Sequence, residues 1–305
     1  MSTSNGLECN YGGIAEACRM PNSRRLAVRG IQAATLGMTE VKCDQAGFGE
    51  TDPIPWSDAI SLGIQLRPLP WHELSFDDRP MEVLDVQAGD AMFYDLRRNP
   101  RATVRDKFHT FHFVFTREFM NEIAGDLNVS RFDEIRQPGG VKVSDRVITT
   151  IGKRALALLE QPRAATDLYG SHLTIALGIH VAMTYGGMED REKRERPSLD
   201  PVQMRISKEL MLAHLDGGID LRSLAAACGM RPYRYAMAFR KSVGLSPYQW
   251  LQTQRILTAR SLISIGRYPL SQVAGLAGFH DQQHLELTFL SVFGVTPAVY
   301  RQQFQ

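Results

Sequence analysis

Arg231, Arg234, Arg240 and Lys241 stand within eleven residues that contain no acidic side chain. Cations at that density suit contact along a phosphate backbone, where each neutralised phosphate releases counterions. The plain alternative is a solvated helix face. Arg222 extends the set, and Tyr233 lies within it as a candidate half-buried helix aromatic. Further on, Gln282, Gln283, His284 and Glu286 offer base-edge chemistry, since Gln can bond adenine twice and Glu can accept from cytosine N4.

Such side chains need elements to aim them, and the sequence supplies the same element twice. Phe239-Arg240-Lys241-Ser242-Val243-Gly244-Leu245-Ser246-Pro247 returns as Phe289-Leu290-Ser291-Val292-Phe293-Gly294-Val295-Thr296-Pro297, an offset of 50 residues at Phe, Gly and Pro. Each copy follows a small-residue helix that ends in Gly and an apolar residue, Leu224 to Met230 and Val273 to Phe279. Ala225 and Ala274 let a second helix cross closely, while Gly229 and Gly278 can take the positive φ of a sharp interhelical turn. The second helix of each pair is predicted to begin near Pro232 or after an Asp281 cap, to be anchored by Phe239 or Phe289, and to end at Gly244 or Gly294. Ile256, Ala259 and Ile263 step by three and four, so one helix of about twenty residues joins the two units.

These spacings describe packing and turns, and a helical bundle that binds nothing would satisfy them as well. Charge favours a polyanion. Residues 203–305 hold nine Arg and two Lys against three Asp and two Glu, a net of +6 in a chain whose total is +2. The rest of the chain is therefore acidic, and the basic end carries the repeated motif.

From about Met204 to Arg301 the chain resembles the DNA-binding domain of the AraC/XylS family of bacterial transcription regulators. The resemblance rests on LAAACGM, GLSPYQWLQTQRILTARSLI, GFHDQQHLELTF and GVTPAVYR, present in order and at the family's spacing. It implies two helices inserted into adjacent major grooves on one face of the duplex. The chain departs from the family at the reading positions. Arg231, Tyr235 and Met237 stand where Ser, Leu and Arg are usual, and Gln283, Leu285, Leu287 and Leu290 where Ser, Phe, Arg and Lys are usual. Arg to guanine is the commonest specific contact, worth roughly 1–3 kcal/mol of discrimination, so its loss at Met237 and Leu287 leaves base reading to weaker partners. Residues 273–305 have Arg301 against Asp281 and Glu286. The first unit is thus expected to supply most of the affinity, and Leu287 and Leu290 mark a partner surface or extra core more readily than a DNA contact.

The N-terminal part has another character. Ile60, Leu62, Ile64 and Leu66 alternate with Ser61, Gly63, Gln65 and Arg67, and Phe111, Phe113 and Phe115 repeat with period two. With Val83, Val86, the Gly89-Asp90 turn and the Asn99-Pro100 break they predict short antiparallel strands. Two helices follow, about 144–160 with Val147, Ile151, Leu158 and Leu159 apolar, and about 166–185 with Leu173, Leu177, Val181 and Tyr185 apolar. LRPLPWHELSFDD and FYDLRRNP are similar to a subgroup of the family's sensor domains. The expected architecture is α+β: a cupin-like β-barrel or sandwich with a helix pair over 1–186, a charged linker at 187–201, and an all-α domain of two helix-turn-helix units over 202–305.

On this resemblance the β domain senses an effector or dimerises. Trp71, His72, Tyr94, Arg97 and Arg98 are the effector-binding candidates, an Arg serving to clamp an anion. Leu173, Leu177 and Val181 form either a homodimer stripe or packing onto the sheets. The partners implied are double-stranded promoter DNA, RNA polymerase for an activator, a small-molecule effector and a second copy of the chain. Two other readings stay open: a regulator controlled by a protein partner through a degenerate second reading helix, and a metal-binding cupin enzyme fused to a DNA-binding domain. His109 and His112, three apart, fall on opposite faces of a strand, and His72-Glu73 has the same defect, so no metal, cofactor or catalytic residue is expected. Cysteines at 9, 18, 43 and 228 lack metal or redox spacing. With no signal-like start and no apolar span, a cytoplasmic protein away from membranes is expected.

Overall fold

The computed structural model describes residues 13–29, 34–127, 129, 131–159, 168–188 and 198–303. Cys9, the chain start and most of the expected charged linker, 189–197, lie outside them. The chain forms two compact units, 1–165 with 173–192, and 166–172 with 193–305. The boundary between residues 192 and 193 falls inside the expected linker at 187–201, and the short segment 166–172 groups with the second unit.

The first unit is built from strands β1 (Arg25–Arg29), β2 (Thr35–Cys43), β3 (Gly49–Glu50), β4 (Ala59–Gln65), β5 (Leu69–Phe76), β6 (Arg79–Val86), β7 (Ala91–Asp95), β8 (Arg101–Val104) and β9 (Phe108–Thr116). They pair antiparallel in a five-stranded sheet, β1-β2-β9-β4-β7, and a four-stranded sheet, β3-β8-β5-β6. The two sheets are not joined into one closed ladder, so the sandwich half of the expectation holds rather than the barrel. Val41, Met92 and Val114 of one sheet pack with Leu74, Val83 and Val104 of the other in a shared core.

Period two in β4 has a different cause from the usual apolar-in, polar-out rule. All seven residues of β4 are buried, including Ser61 and Gln65. Ile60, Leu62 and Ile64 lie on the face that helices cover: a Cβ on Gly152 would come 2.4 Å from Ile64 Cδ1, and Phe115 packs on Phe119 with ring centroids 6.0 Å apart. Ser61, Gly63 and Gln65 face the space between the sheets instead, which is why they are polar or small.

The covering helices are α2 (Arg117–Leu127), α3 (Arg146–Leu158) and α4 (Leu168–Thr184), with α1 (Gly13–Ala17) at the other face. In α3 the buried stripe is Ile148, Gly152, Ala155 and Leu158, one residue out of step with the expected Val147 and Ile151. The Asp145 cap sets this phase and leaves Val147 44% exposed. Leu173, Leu177 and Val181 are at most 6% exposed within the chain. They are packing residues and leave no stripe for a dimer; the nearly all-round apolar surface of α4 is what a helix buried on most sides requires.

Asp145 ties these helices together. Its carboxylate accepts from Val147 N and Ile148 N, from His180 Nε2 at 2.7 Å and from the Tyr185 hydroxyl at 2.8 Å. Burial alone would raise its pKa, but the four donors outweigh that and hold it below the ordinary value. A depressed folded pKa stabilises fully above the unfolded value of about 4 and is lost as pH falls through the folded one. Asp145→Asn keeps the helix cap yet gives up the charge, so it should cost about 1–3 kcal/mol at pH 7 and flatten the acid limb of stability. Urea unfolding of both proteins from pH 7 to pH 3 checks it; parallel curves would refute it.

The second unit contains α5 (Pro201–Ala213), α6 (Leu221–Ala227), α7 (Pro232–Val243), α8 (Pro247–Ile265), α9 (Leu270–Leu276), α10 (Gln282–Phe293) and α11 (Pro297–Gln302). Pro stands in the first turn of α5, α7, α8 and α11. Asp200 and Ser246 form capping boxes with Gln203 and Gln249, and Gly244, Gly266 and Gly294 end their helices in the left-handed region. Sequence and geometry agree closely in this unit because many of its boundaries are written by a capping side chain, a first-turn proline or a left-handed glycine.

Candidate functional site

The pairs α6–α7 and α9–α10 repeat in structure as they do in sequence. Met230 N donates to Ala225 O at 2.9 Å and Phe279 N to Ala274 O at 2.8 Å, the same bond closing both turns around Gly229 (φ 65) and Gly278 (φ 81). Phe239 and Phe289 are fully buried. Between the pairs, Trp250 and Leu251 at the start of α8 and Ile256, Ala259 and Ile263 further along it are buried, and the last three share a core with Val273, Leu285 and Phe289. One helix thus serves both units.

On α7, Tyr235, Ala238 and Phe239 face inward, the Tyr235 hydroxyl bonding Ser207 Oγ. That leaves Arg231, Arg234, Arg240 and Lys241 exposed, with Tyr233 and Met237 half-buried beside them and Arg222 half-buried on α6. Arg231, Arg234 and Arg240 have no ion pair or hydrogen bond among the described residues. With no carboxylate to satisfy them, their charge is presented to an outside anion.

The corresponding face of α10 is nearly neutral. Gln283, Leu287 and Leu290 lie along one exposed stripe, Leu287 being 61% exposed. Gln282 Nε2 donates to Glu286 Oε1 at 2.8 Å, so these two are engaged with each other. His284 departs from expectation. It is half-buried, edge-on to Phe279 with centroids 5.3 Å apart, and burial lowers its pKa. Its ring supports the turn instead of facing out with Gln283. Arg301 also turns inward, donating to Tyr268 O at 2.8 Å.

Residues 224–303, about a quarter of the chain, match the family described as a helix-turn-helix domain. The chain is 25% identical over 73% of its length to the arabinose operon regulatory protein of Escherichia coli K12, 72% of which is covered. It is 31% identical over 34% of its length to the protein of the same description from Salmonella typhimurium LT2, 37% of which is covered. The C-terminal part of the chain is thus a helix-turn-helix domain like those of AraC-type transcription regulators. Among solved structures, it is similar to the DNA-binding domain of AdpA in complex with a target DNA, at 33% identity over 33% of this chain and 92% of that one, with a TM-score of 0.32. Several curated relatives are matched over only 35–43% of their own length. The AraC-type similarity is thus strongest in the C-terminal unit.

The N-terminal unit holds a cavity of about 90 Å³ between the sheets. Of the effector candidates, His72 and Tyr94 line it. Trp71, Arg97 and Arg98 do not: Arg105 lies over the Trp71 ring at 4.2 Å, Arg97 is paired in two places with Asp95, and Arg98 bonds Asp77 at 2.8 Å. The walls are mainly apolar, from Ile14, Ile54, Leu69, Leu74, Met92 and Phe108. Ser61, Gln65, Thr110 and His112 also line it and were missed, although their period-two polarity on β4 and β9 was the signal. Burial lowers His72 and His112 to about 4, so both are neutral at pH 7. His112 is satisfied on both nitrogens, 3.1 Å from Ser61 Oγ and from Thr110 Oγ1. His72, only 3% exposed, has an Nδ1 without a hydrogen-bond partner. His109 points away from the cavity to Glu40, at 2.8 Å. No three His, Cys, Asp or Glu among the described residues converge on a metal position, and no helix among them is long and apolar enough to cross a membrane.

Proposed function

We propose that the chain is a sequence-specific promoter-binding regulator, without a catalytic step, whose β domain over about 1–186 senses a small molecule and whose helical domain over 202–305 engages DNA. The exposed cations of α7, set on a helix-turn-helix that recurs through a shared helix, carry the reading. Arg222, Arg231, Arg234, Arg240 and Lys241 engage phosphates, while Tyr233 and Met237 lie nearest the bases. Affinity therefore comes chiefly from the first unit. Selection of genomic fragments by the full chain at two salt concentrations tests this: two half-sites about one helical turn apart are expected, with weaker binding at higher salt. Binding without sequence preference, or none, would refute it.

His72 supports the sensor reading. A buried polar atom without a partner costs stability, and such atoms persist where a ligand satisfies them. A mainly apolar cavity with neutral histidines and Arg101 in its lining suits a small, mainly apolar molecule that bears hydrogen-bonding groups. His72→Leu should therefore stabilise the ligand-free chain by about 1 kcal/mol while removing its thermal response to the effector. Destabilisation in urea would instead make His72 a structural residue.

A further inference from the structure

We infer that the second reading helix selects A·T pairs, with Gln283 bonding adenine and Leu287 packing on the C5-methyl of thymine. This rests on the promoter-binding reading above. The repeat offset of 50 residues pairs Leu287 with Met237 and Gln283 with Tyr233. Both reading helices thus carry an apolar side chain at the same position, and neither carries a guanidinium there. On α10 the neighbours narrow the choice. Glu286 is engaged by Gln282 and His284 is turned toward Phe279, which leaves Gln283, Leu287 and Leu290 as the outward stripe, with Gln283 and Leu287 one turn apart in its N-terminal half; Arg301, on α11, bonds Tyr268 O.

Each has one good partner among the base edges of the major groove. The Gln amide matches the N6 donor and N7 acceptor of adenine, and the thymine methyl is the one apolar group that a base presents there. Leu287 is 61% exposed and Phe289 and Leu285 already fill the core, so Leu287 has no packing role that would explain an apolar residue in water. Guanine offers Leu287 two unsatisfied acceptors and is disfavoured at that position. The neutral stripe is therefore a selective surface, whereas the phosphate grip belongs to α7.

The test uses the full chain and a fragment recovered by selection. Each thymine of each half-site is replaced in turn by deoxyuridine, which removes the methyl and leaves every hydrogen bond in place. In one half-site a single replacement should weaken binding roughly fourfold, the worth of one buried methyl. Leu287→Ala should abolish that penalty without changing the melting temperature, and Leu287→Arg should shift the selected base toward guanine. Gln283→Ala should relax the preference for adenine at the neighbouring position by roughly fivefold or more. Uridine tolerated throughout, a penalty that survives in Leu287→Ala, or recovery of one half-site alone would overturn the inference while promoter binding stood. Failure to bind any duplex would overturn the reading beneath it as well.

Discussion

Arg234→Ala lowers the affinity of the full chain for its operator about tenfold, and by a similar factor for unrelated duplexes. Arg234 is exposed on α7 with no internal partner among the described residues, so truncation removes a phosphate interaction without disturbing the core. The slope of log affinity against log salt should fall by about 0.9 for each phosphate that is no longer neutralised. Adding Arg231→Ala compounds both effects, whereas the selected motif stays the same. Fluorescence anisotropy at several salt concentrations measures affinity and slope together. If Arg234→Ala bound as the parent does while Gln283→Ala abolished binding, affinity would lie in the second unit and the division of labour would be reversed.

Gly278→Ala should cost at least about 4 kcal/mol and unfold the second helix-turn-helix, whereas Gly229→Ala at the matching turn should cost about 1 kcal/mol. Both glycines have positive φ, 65 for Gly229 and 81 for Gly278, so both alanines bear the left-handed penalty. Their surroundings separate them. Nothing lies within 4 Å of a Cβ on Gly229, but one on Gly278 would stand 1.7 Å from Leu215 O and 2.9 Å from Arg255 Nε. Arg255, itself 7% exposed, donates to that same carbonyl at 2.6 Å. An added methyl therefore displaces backbone and breaks the bond of a buried guanidinium, a far larger loss than strain alone. Urea unfolding of the two variants gives the comparison, and equal costs would show that the turn relaxes more than its contacts allow.

The two glycines also mark how far a sequence can be read. Both were recognisable as turn residues because positive φ is a local demand, and local demands leave a residue type at a fixed offset. The contact of Gly278 with Leu215 joins residues 63 positions apart and leaves no such trace. Helix starts at Ser246, Asp281 and Thr296 were legible for the same local reason. The N-terminal unit was harder. Period two correctly marked β4 and β9, yet which face met solvent could not follow from alternation, since both faces of β4 are buried. Leu173, Leu177 and Val181 illustrate the limit: an apolar stripe states that something covers it, and here the chain's own packing does so. His284 sits at a reading position by spacing, but its ring packs beside Phe279, a choice of rotamer that sequence does not record.

The shared helix α8 has 19 residues and runs without a break from the Ser246 cap to Gly266. Such a helix is about 28 Å long and turns by about 100° per residue. It therefore acts as a ruler and a compass at once: it sets how far apart the two reading helices stand and the angle at which each meets the duplex. Adding one residue would lengthen it by only about 1.5 Å but swing one reader about 100° away from the groove. On the proposed promoter-binding reading, half-sites are therefore constrained in helical phase as well as in sequence, and a change in their spacing that a flexible tether would absorb should weaken binding.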